Sequence, residues 1–433
     1  MLIADVQFPL KMEVVLNAAL TVFTGFFRES KHSAVVAPIF NLDEGTLLKI
    51  FSFLSTQDLL RACRVCSLWQ KLSYDLLLWK TTDLRKFSTS LVDSEKFQAL
   101  AVNRLANKTR CLDLSGFLLT EDSLRVLATH CKRLRQLKLK SVTFAVDRKK
   151  IHSQEDVLFP RDLECLDIRF SHGNPRVYRA IGKVLSKVKW LGLSDAFFQN
   201  LLAQGKMEEA IDSMKHLRKL DVSHCLLLKD STLALFARCK KLEVLSVRKC
   251  CFLSGTFVEV FLNSCKELKT LILDGISLED ETLAEISWRN SCLKHLDLGW
   301  CPLVSEAGLT KALPRIAKIQ TLEYLGLCAI GKENAVDDDI LINLGASLSY
   351  WRSQKLKVIN VSHSRSLTSD GIVEFCQRFS FVEILDVTNC PAVKQCQLLR
   401  EHLSSVVVSG DTKKGSVSAT RFAKSKHALE TPV

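Results

Sequence analysis

Two neighbouring stretches, residues 217–225 (LRKLDVSHC) and 242–250 (LEVLSVRKC), carry the pattern that decides the fold. Each has aliphatic residues at its first, fourth and sixth positions and a cysteine at its ninth. Apolar residues that alternate with other residues are typical of a short strand with one buried face. A strand this short cannot enclose a hydrophobic core alone, so the pattern predicts a unit that is stable only when stacked on its neighbours.

The same pattern returns along most of the 433-residue chain. Its first copy begins at Thr109, and every later copy has an aliphatic residue at all three positions. The residues at the fourth position are Leu112, Leu137, Leu166, Leu191, Leu220, Leu245, Leu271, Leu296, Leu325, Ile359 and Leu385. They recur every 25 to 34 positions, and such a period predicts a solenoid of about eleven leucine-rich units over residues 109–409.

A polar cluster and a second apolar patch follow several of these strands after about ten residues. Residues 120–123 (TEDS) precede Leu124 and Leu127, and residues 230–232 (DST) precede Leu233. Side-chain oxygens and negative charge at such positions stabilise the free amides at the start of a helix. The sequence therefore predicts an α/β fold, a right-handed leucine-rich-repeat solenoid with parallel strands on its concave side and helices on its convex side.

The sixteen cysteines follow the repeat rather than forming pairs. Seven stand three residues after the third aliphatic position or three before the first, namely Cys225, Cys250, Cys301, Cys390, Cys131, Cys239 and Cys265. Cysteine behaves as a small buried hydrophobe, whereas a metal site needs ligands that converge at close spacing. We expect buried packing positions, no disulfide framework and no metal site. The arrangement resembles the cysteine-containing class of leucine-rich repeat.

The stretch before the repeats has a different period. Over residues 42–84, apolar residues recur at intervals of three and four, and residues 55–58 (STQD) interrupt them with a helix-capping sequence. This pattern predicts three short helices with more apolar surface than a segment of this length can bury by itself. Such an excess indicates a surface for a partner protein.

This block resembles an F-box, a three-helix motif that docks on an adaptor of the S-phase-kinase-associated type. The resemblance rests on Leu42, Ile50-Phe51, Leu54, Asp58-Leu59, the signature Val65-Cys66-x-x-Trp69 and Trp79. It implies adaptor contacts by Leu42, Leu47, Ile50, Phe51, Leu54, Leu59, Val65 and Trp69. Two positions depart from the family, because Asp43 stands where proline is usual and Gly45 where glutamate is usual. Both lie in the first turn of the first helix, which is expected to start later or to dock more weakly.

An F-box directly before cysteine-containing repeats is a recognised family architecture, and it implies the substrate-recognition subunit of an SCF-type ubiquitin ligase. In such a complex the adaptor connects the chain to a cullin and a RING subunit, and the repeats hold protein substrates. The sequence has no phosphate-binding loop, HExxH motif or GxSxG motif, so we expect no catalytic residue and no cofactor. The alternative is a leucine-rich-repeat scaffold outside any ligase, in which the helices only cap the solenoid.

Substrate contacts are expected on the concave side, where the residues beside the central strand position point. Aromatic and arginine side chains dominate binding hot spots, and those on this side are Arg169, Trp190, Arg248, His295 and Tyr324. Its basic residues and the formal net charge of +13 favour acidic or phosphorylated substrates. A third hypothesis for so basic a chain is a solenoid that binds nucleic acid. Aspartates lie among the basic residues of the concave side, at positions 167, 221, 297 and 386, and they argue against this hypothesis.

The remaining segments lack the repeat. The apolar stretch within residues 1–41 is too short to span a membrane and lacks a signal-peptide start. We therefore expect a poorly ordered lead-in, no membrane segment and a location in the cytoplasm or nucleus. Residues 85–108 are expected to link or cap the first unit, and residues 410–433 to form a disordered basic tail. The tail ends in ETPV (residues 430–433), which is similar to a ligand for PDZ domains.

Overall fold

A computed structural model describes residues 42–88, 94–106, 108–146, 156–332, 335–393 and 407–409. Within these ranges thirteen parallel strands form one continuous sheet, and helices follow the strands along the chain. The predicted α/β leucine-rich-repeat solenoid is confirmed. The lead-in predicted for residues 1–41 and the tail predicted for residues 410–433, with its PDZ-binding end, lie outside the described residues.

Three short helices precede the sheet: α1 (Glu44–Phe51), α2 (Thr56–Ala62) and α3 (Ser67–Ser73). Asp43 is the N-cap of α1, and its carboxylate accepts a 3.0 Å hydrogen bond from the Thr46 amide. Ser55 caps α2 in the same way. Side-chain acceptors of this kind satisfy free amides at a helix start, so the first helix has a defined start although Asp43 replaces the usual proline.

The strands are short and follow one another at nearly constant intervals. In chain order they are β1 (Thr81–Asp83), β2 (Cys111–Asp113), β3 (Leu118–Leu119), β4 (Gln136–Lys138), β5 (Thr143–Phe144), β6 (Cys165–Asp167), β7 (His172–Gly173), β8 (Trp190–Gly192), β9 (Lys219–Asp221), β10 (Val244–Ser246), β11 (Thr270–Ile272), β12 (His295–Asp297), β13 (Tyr324–Gly326), β14 (Val358–Asn360), β15 (Ile384–Asp386) and β16 (Val407–Ser409). Strands β3, β5 and β7 pair with one another in a small separate sheet, and the rest form the main sheet.

All eleven predicted strands are present, and their central residues lie opposite one another, with Leu220 beside Leu245. These central side chains are 0–1% exposed. Two further strands, β1 and β16, extend the sheet at its ends. Strand β1 has Thr82 at its centre, and the buried hydroxyl donates to the Trp79 carbonyl at 3.1 Å. Strand β1 lies within residues 42–84, so the predicted F-box segment includes the first strand of the sheet. The domain boundaries that the sequence suggests stay predictions.

A helix follows most of the strands. After α3 these helices are α4 (Ser94–Leu100), α5 (Glu121–His130), α6 (Pro175–Gly182), α7 (Asp195–Ala203), α8 (Met207–Ser213), α9 (Asp230–Ala234), α10 (Phe257–Ser264), α11 (Asp280–Glu285), α12 (Glu306–Ile316), α13 (Asp338–Tyr350) and α14 (Ser369–Arg378). A π-helical turn (Ala101–Leu105) continues α4, and 3₁₀ turns occupy Arg85–Phe87, Leu185–Lys187, Leu235–Arg238 and Trp288–Asn290. None of the helices in the described part of the chain is both long and apolar enough to cross a membrane.

Aspartates at the helix starts connect neighbouring units. The sequence predicts that such polar residues cap their own helix, and Thr120 does so by accepting a 3.1 Å hydrogen bond from the Ser123 amide. Four aspartates instead accept backbone amides of the following unit at 2.8–3.0 Å: Asp195 from Leu226 and Leu227, Asp230 from Ser254 and Gly255, Asp280 from Ser305, and Asp338 from Thr368. These bonds help to set how each unit stacks on the next.

The cysteines predicted as packing positions are buried. Four of their thiols donate to the carbonyl that ends the strand segment of the preceding unit, Cys225 to Leu193, Cys250 to Val222, Cys301 to Leu273 and Cys390 to Val361. Within the described residues no group of three histidine, cysteine, aspartate or glutamate side chains could hold a metal ion. The recurring spacing of these cysteines in the sequence thus corresponds to one repeated contact between units.

Alkylation should distinguish Cys250 from its neighbour Cys251. Burial raises the pKa of Cys250 to about 12, so at pH 7.5 its thiol is protonated and inaccessible, whereas Cys251 is exposed. We expect maleimide to label Cys251 and the exposed Cys292 within minutes and Cys250 only after denaturation. Fragment-ion mass spectrometry reads the two adjacent sites separately, and a Cys251→Ser variant is the control. Equal labelling rates at both sites would contradict the packing described above.

Candidate protein-interaction surfaces

The helical block buries four of the residues predicted to contact an adaptor. Leu47, Phe51, Leu59 and Trp69 are 0–7% exposed, and the rings of Phe51 and Trp69 meet edge to face with centroids 5.1 Å apart. Together they form the core that holds the three helices together. Adaptor contact by these four stays a prediction, and the structure shows that their side chains are mainly buried in the core of the helical block.

Other apolar side chains of this block reach the surface. Among the predicted contacts these are Leu42, Ile50 and Leu54, which are half-buried, and Val65, which is exposed. The sequence interpretation missed Phe53, Leu76 and Leu77, which are 71%, 55% and 80% exposed. The sequence does contain a signal for the two leucines. Three leucines follow one another at residues 76–78, and three successive side chains cannot all point into one core. Phe53, Val65, Leu76 and Leu77 are called the exposed apolar residues of the helical block below.

A buried junction connects the helical block to the first repeats. Trp79 is 1% exposed; its indole nitrogen donates to the Ser73 carbonyl at 2.6 Å, and its own carbonyl accepts from the Thr109 hydroxyl at 2.9 Å. The guanidinium carbon of Arg104 lies 3.2 Å from the ring centroid of Tyr74. Residues of the block and of the repeats therefore pack on each other, so the helices are presented at a defined orientation to the sheet.

The arginines predicted to bind substrate are paired with aspartates on the open face of the sheet, which carries the first and third residues of each strand and the residue two positions after its end. Arg169 donates to Asp167 at 2.8 and 2.9 Å and to Asp221 at 2.5 Å, and Arg248 Nε lies 3.2 Å from Asp274. Burial lowers the pKa of Arg169, but the two carboxylates outweigh it and the pKa is raised overall. These cations link strands, and their charge is already compensated.

The aromatic residues predicted on the open face have little free surface. Trp190 and Tyr324 are 6% and 7% exposed. The Arg169 guanidinium lies 5.3 Å from the Trp190 ring centroid, and the His295 ring stacks on Tyr324 with centroids 3.9 Å apart. Burial raises the pKa of Tyr324, which keeps its hydroxyl protonated. Substrate contact by these residues stays a prediction, and the structure shows that their side chains mainly contact one another.

Known families match two parts of the chain. Residues 44–85 match the family described as F-box-like, and residues 289–311 match that described as Leucine Rich repeat. Human F-box/LRR-repeat protein 12 is 26% identical over 327 residues, which cover 64% of this chain and 94% of that protein. The chain is thus similar to F-box and leucine-rich-repeat proteins in both its helical block and its repeats. The mouse protein of the same name is 24% identical to this chain over 319 residues, with the same coverage of each chain.

A solved structure has a similar fold. A chain from the crystal structure of the Rad7 and Elc1 complex in yeast aligns with a TM-score of 0.52 over 94% of this chain and 99% of that chain. The two sequences are 14% identical over this alignment. At so low an identity the match shows a shared fold, and it covers both the helical block and the repeats.

Proposed function

We propose that this chain is the substrate-recognition subunit of an SCF-type ubiquitin ligase. In this proposal the F-box binds an adaptor of the S-phase-kinase-associated type, the adaptor joins a cullin and a RING subunit, and the repeats bind target proteins. The chain itself is a non-catalytic receptor. We place it in the cytoplasm or nucleus, where such complexes would meet their targets.

The observation that carries the proposal is the apolar surface of the F-box helices. Phe53, Leu76 and Leu77 are each more than half exposed, in a block whose core residues are buried as tightly as those of the repeats. Large exposed apolar side chains on a small folded unit favour a partner that covers them. Docking of an adaptor here would use residues that the chain does not need for its own core.

The packed junction between the F-box and the repeats suggests how the receptor would act. Thirteen strands at a spacing of about 4.8 Å span roughly 60 Å, and Trp79 and Arg104 pack the F-box against the first units. A target held on the repeats would therefore lie at a restricted distance from the adaptor. Holding two reactants near each other accelerates their reaction without any catalytic side chain on the receptor.

A second candidate is a leucine-rich-repeat scaffold that binds partners outside any ligase. It is favoured by the burial of Leu47, Phe51, Leu59 and Trp69, because helices with a complete core of their own could cap the first unit without an adaptor. Capping units of this kind are required at the ends of repeat arrays. Adaptor binding separates the two candidates.

Charge introduced into the exposed F-box surface should abolish adaptor capture. We expect the Phe53→Asp, Leu77→Asp double variant to lose at least about 30-fold in affinity for the purified adaptor, since truncation of a hot-spot residue costs 2 kcal/mol or more. Both side chains are exposed, so the variant should fold as the wild type does. Biolayer interferometry gives the affinity and circular dichroism gives the melting temperature.

The matched control is Phe252→Asp, which places the same charge on a residue of the repeats that is 65% exposed. It should bind the adaptor like the wild type. If the intact protein does not bind the adaptor, the ligase proposal fails and the scaffold candidate is favoured. If the double variant binds as tightly as the control, adaptor docking uses another surface and the site proposed here is wrong.

A further inference from the structure

A row of left-handed residues runs along the edge of the sheet where the strands end. In ten of the eleven predicted units, the residue four positions after the central strand residue has a positive φ. We call these residues the turn row: Gly116, Ser141, Phe170, His224, Lys249, Gly275, Trp300, Ala329, His363 and Asn389. In the unit of Leu191 this position is Asp195, where α7 begins. Hydrogen bonds between successive turns, such as Trp300 N–H to the Cys328 carbonyl at 2.8 Å, hold the row in line.

Four positions of the turn row carry aromatic or histidine side chains, although glycine adopts their left-handed backbone conformation with the least strain. A left-handed backbone favours glycine because glycine has no Cβ, yet Phe170, His224, Trp300 and His363 adopt it. The rings pack in pairs, with centroids 5.2 Å apart for Phe170 and His224 and 5.6 Å apart for Trp300 and His363. Residues held in sparsely populated backbone regions cluster at ligand-binding sites, so this row is a candidate for recognition.

The second ring pair borders a cleft of about 680 Å³. Its lining includes Trp300, His363, Lys332, Arg365, Pro391 and Val393. The turn-row residue between the two rings is Ala329, whose small side chain allows the rings to meet above it. Trp300 is 51% exposed, in contrast to the buried aromatic residues of the open face. The volume lies within the range of about 300–1,000 Å³ that is usual for binding clefts.

The described lining of the cleft is basic. Lys332 and Arg365 are both exposed, and the lining residues that the structure describes include no aspartate or glutamate. Neither cation forms an ion pair with a carboxylate of the described residues. Arg169 and Arg248, which the sequence singled out for anion binding, both have aspartate partners. Arg169 and Arg248 are therefore less available to an anionic ligand than Lys332 and Arg365 at the turn edge.

From these observations we infer that the cleft beside Trp300 binds an acidic segment of a protein substrate. An anionic side chain of the segment, carboxylate or phosphate, contacts Lys332 and Arg365, and a neighbouring apolar side chain packs on the Trp300 and His363 rings. Guanidinium groups form strong charge-assisted hydrogen bonds to either anion, and exposed tryptophan is enriched in binding hot spots. This inference rests on the proposed function, because it names the class of substrate that the receptor would hold.

A peptide fits the surroundings of the cleft better than single-stranded RNA does. RNA binding requires a basic track that follows a charged backbone over several nucleotides. The open face beside the cleft has Asp297 and Asp386 at the ends of β12 and β15, and these carboxylates would repel such a backbone. A short acidic segment needs only the two cations and the adjacent rings.

The test measures fluorescence anisotropy of the full-length protein with three labelled peptides. Each is a twelve-residue Gly/Ser peptide with Leu-Glu-Glu-Phe, Leu-phosphoserine-Glu-Phe or Leu-Gln-Gln-Phe at its centre. We expect at least one anionic peptide to bind tenfold or more tightly than the glutamine peptide. Equal binding of both anionic peptides indicates acidic segments in general, and a further tenfold gain with phosphoserine indicates phosphorylated ones.

Three variants locate the binding site. The Lys332→Glu, Arg365→Glu variant should lose at least tenfold in affinity for the anionic peptide, and Trp300→Ala should lose about fivefold. The control is Lys311→Glu, Lys355→Glu, which makes the same change of charge at exposed lysines in α12 and ahead of β14. A control that weakens binding as much as the cleft variant would overturn the inference, as would equal binding of all three peptides. Tighter binding of oligouridine than of either anionic peptide, lost in the cleft variant, would also overturn it.

Adaptor capture by the same preparations keeps the two proposals apart. If the wild type captures the adaptor but binds no anionic peptide, the cleft inference fails and the proposed function stands. If it binds the anionic peptide through Lys332 and Arg365 but captures no adaptor, the ligase proposal fails and the cleft remains an acidic-peptide site of a scaffold.

Discussion

The Glu121→Ala variant is expected to lose about 3–5 kcal/mol of its free energy of unfolding, because it removes the carboxylate from a buried ion pair with Arg176. Arg176 donates to both carboxylate oxygens of Glu121 at 3.1 Å, and the two side chains are only 7% and 8% exposed. Asn174 donates to the same carboxylate at 2.9 Å. Chemical denaturation followed by circular dichroism gives the change.

A double substitution tests the electrostatic reason. Glu121→Leu combined with Arg176→Met should recover most of the lost stability, because removing both charges avoids the cost of transferring them from water. The exposed pair Lys206 and Glu209 is the control, and Glu209→Ala should leave the free energy of unfolding nearly unchanged. If Glu121→Ala behaves like Glu209→Ala, water reaches the cluster and the expected penalty is wrong.

Replacing Trp79 with alanine should cost about 3–5 kcal/mol of unfolding free energy, the usual loss for a large buried aromatic residue. Trp79 is 1% exposed and belongs to the junction between the F-box and the repeats. Its removal should weaken the F-box more than the distant repeats, because each unit of a solenoid depends mainly on its neighbours. Hydrogen exchange should show backbone amides of residues 44–83 losing protection well before those of residues 217–298.

Trp79→Phe separates packing from hydrogen bonding at this junction, and Trp300→Ala is the control for loss of a tryptophan elsewhere in the chain. Trp79→Phe keeps an aromatic ring but leaves the buried Ser73 carbonyl without its donor, for which we expect a loss of about 1–3 kcal/mol. Trp300→Ala removes a half-exposed tryptophan and should change the free energy of unfolding by no more than about 0.5 kcal/mol. Uniform loss of protection across the chain in Trp79→Ala would contradict a local junction.

The charge and exposure of the side chains direct the search for a substrate-binding surface from the open face to the turn edge. The formal net charge of +13 suggests a basic binding surface, but Arg169 and Arg248 are neutralised by aspartates of their own sheet. Arg169 in particular connects Asp167 at the end of β6 to Asp221 at the end of β9. These two arginines of the open face are therefore satisfied within the chain, whereas Trp300, Lys332 and Arg365 at the turn edge are exposed.

The sequence by itself determined the solenoid. Central leucines such as Leu220 and Leu245 alternate with other residues and recur with one period, and in the structure they lie opposite each other in the core. Cysteines with the same period, such as Cys250, are buried for the same reason. A side chain's direction in a strand follows from its place in the alternation, so burial of these residues needs no knowledge of distant contacts.

Only the tertiary structure decided which residues are free to bind a partner. Arg169 is separated by 52 residues from Asp221, which neutralises it. Thr82 takes the central place of a strand without an aliphatic residue, and Trp69 lies inside the F-box core whereas Phe53 lies outside it. The physical reason is that exposure and charge compensation depend on neighbours from other units and helices. A local pattern specifies the direction of a side chain, but not what stacking places beside it.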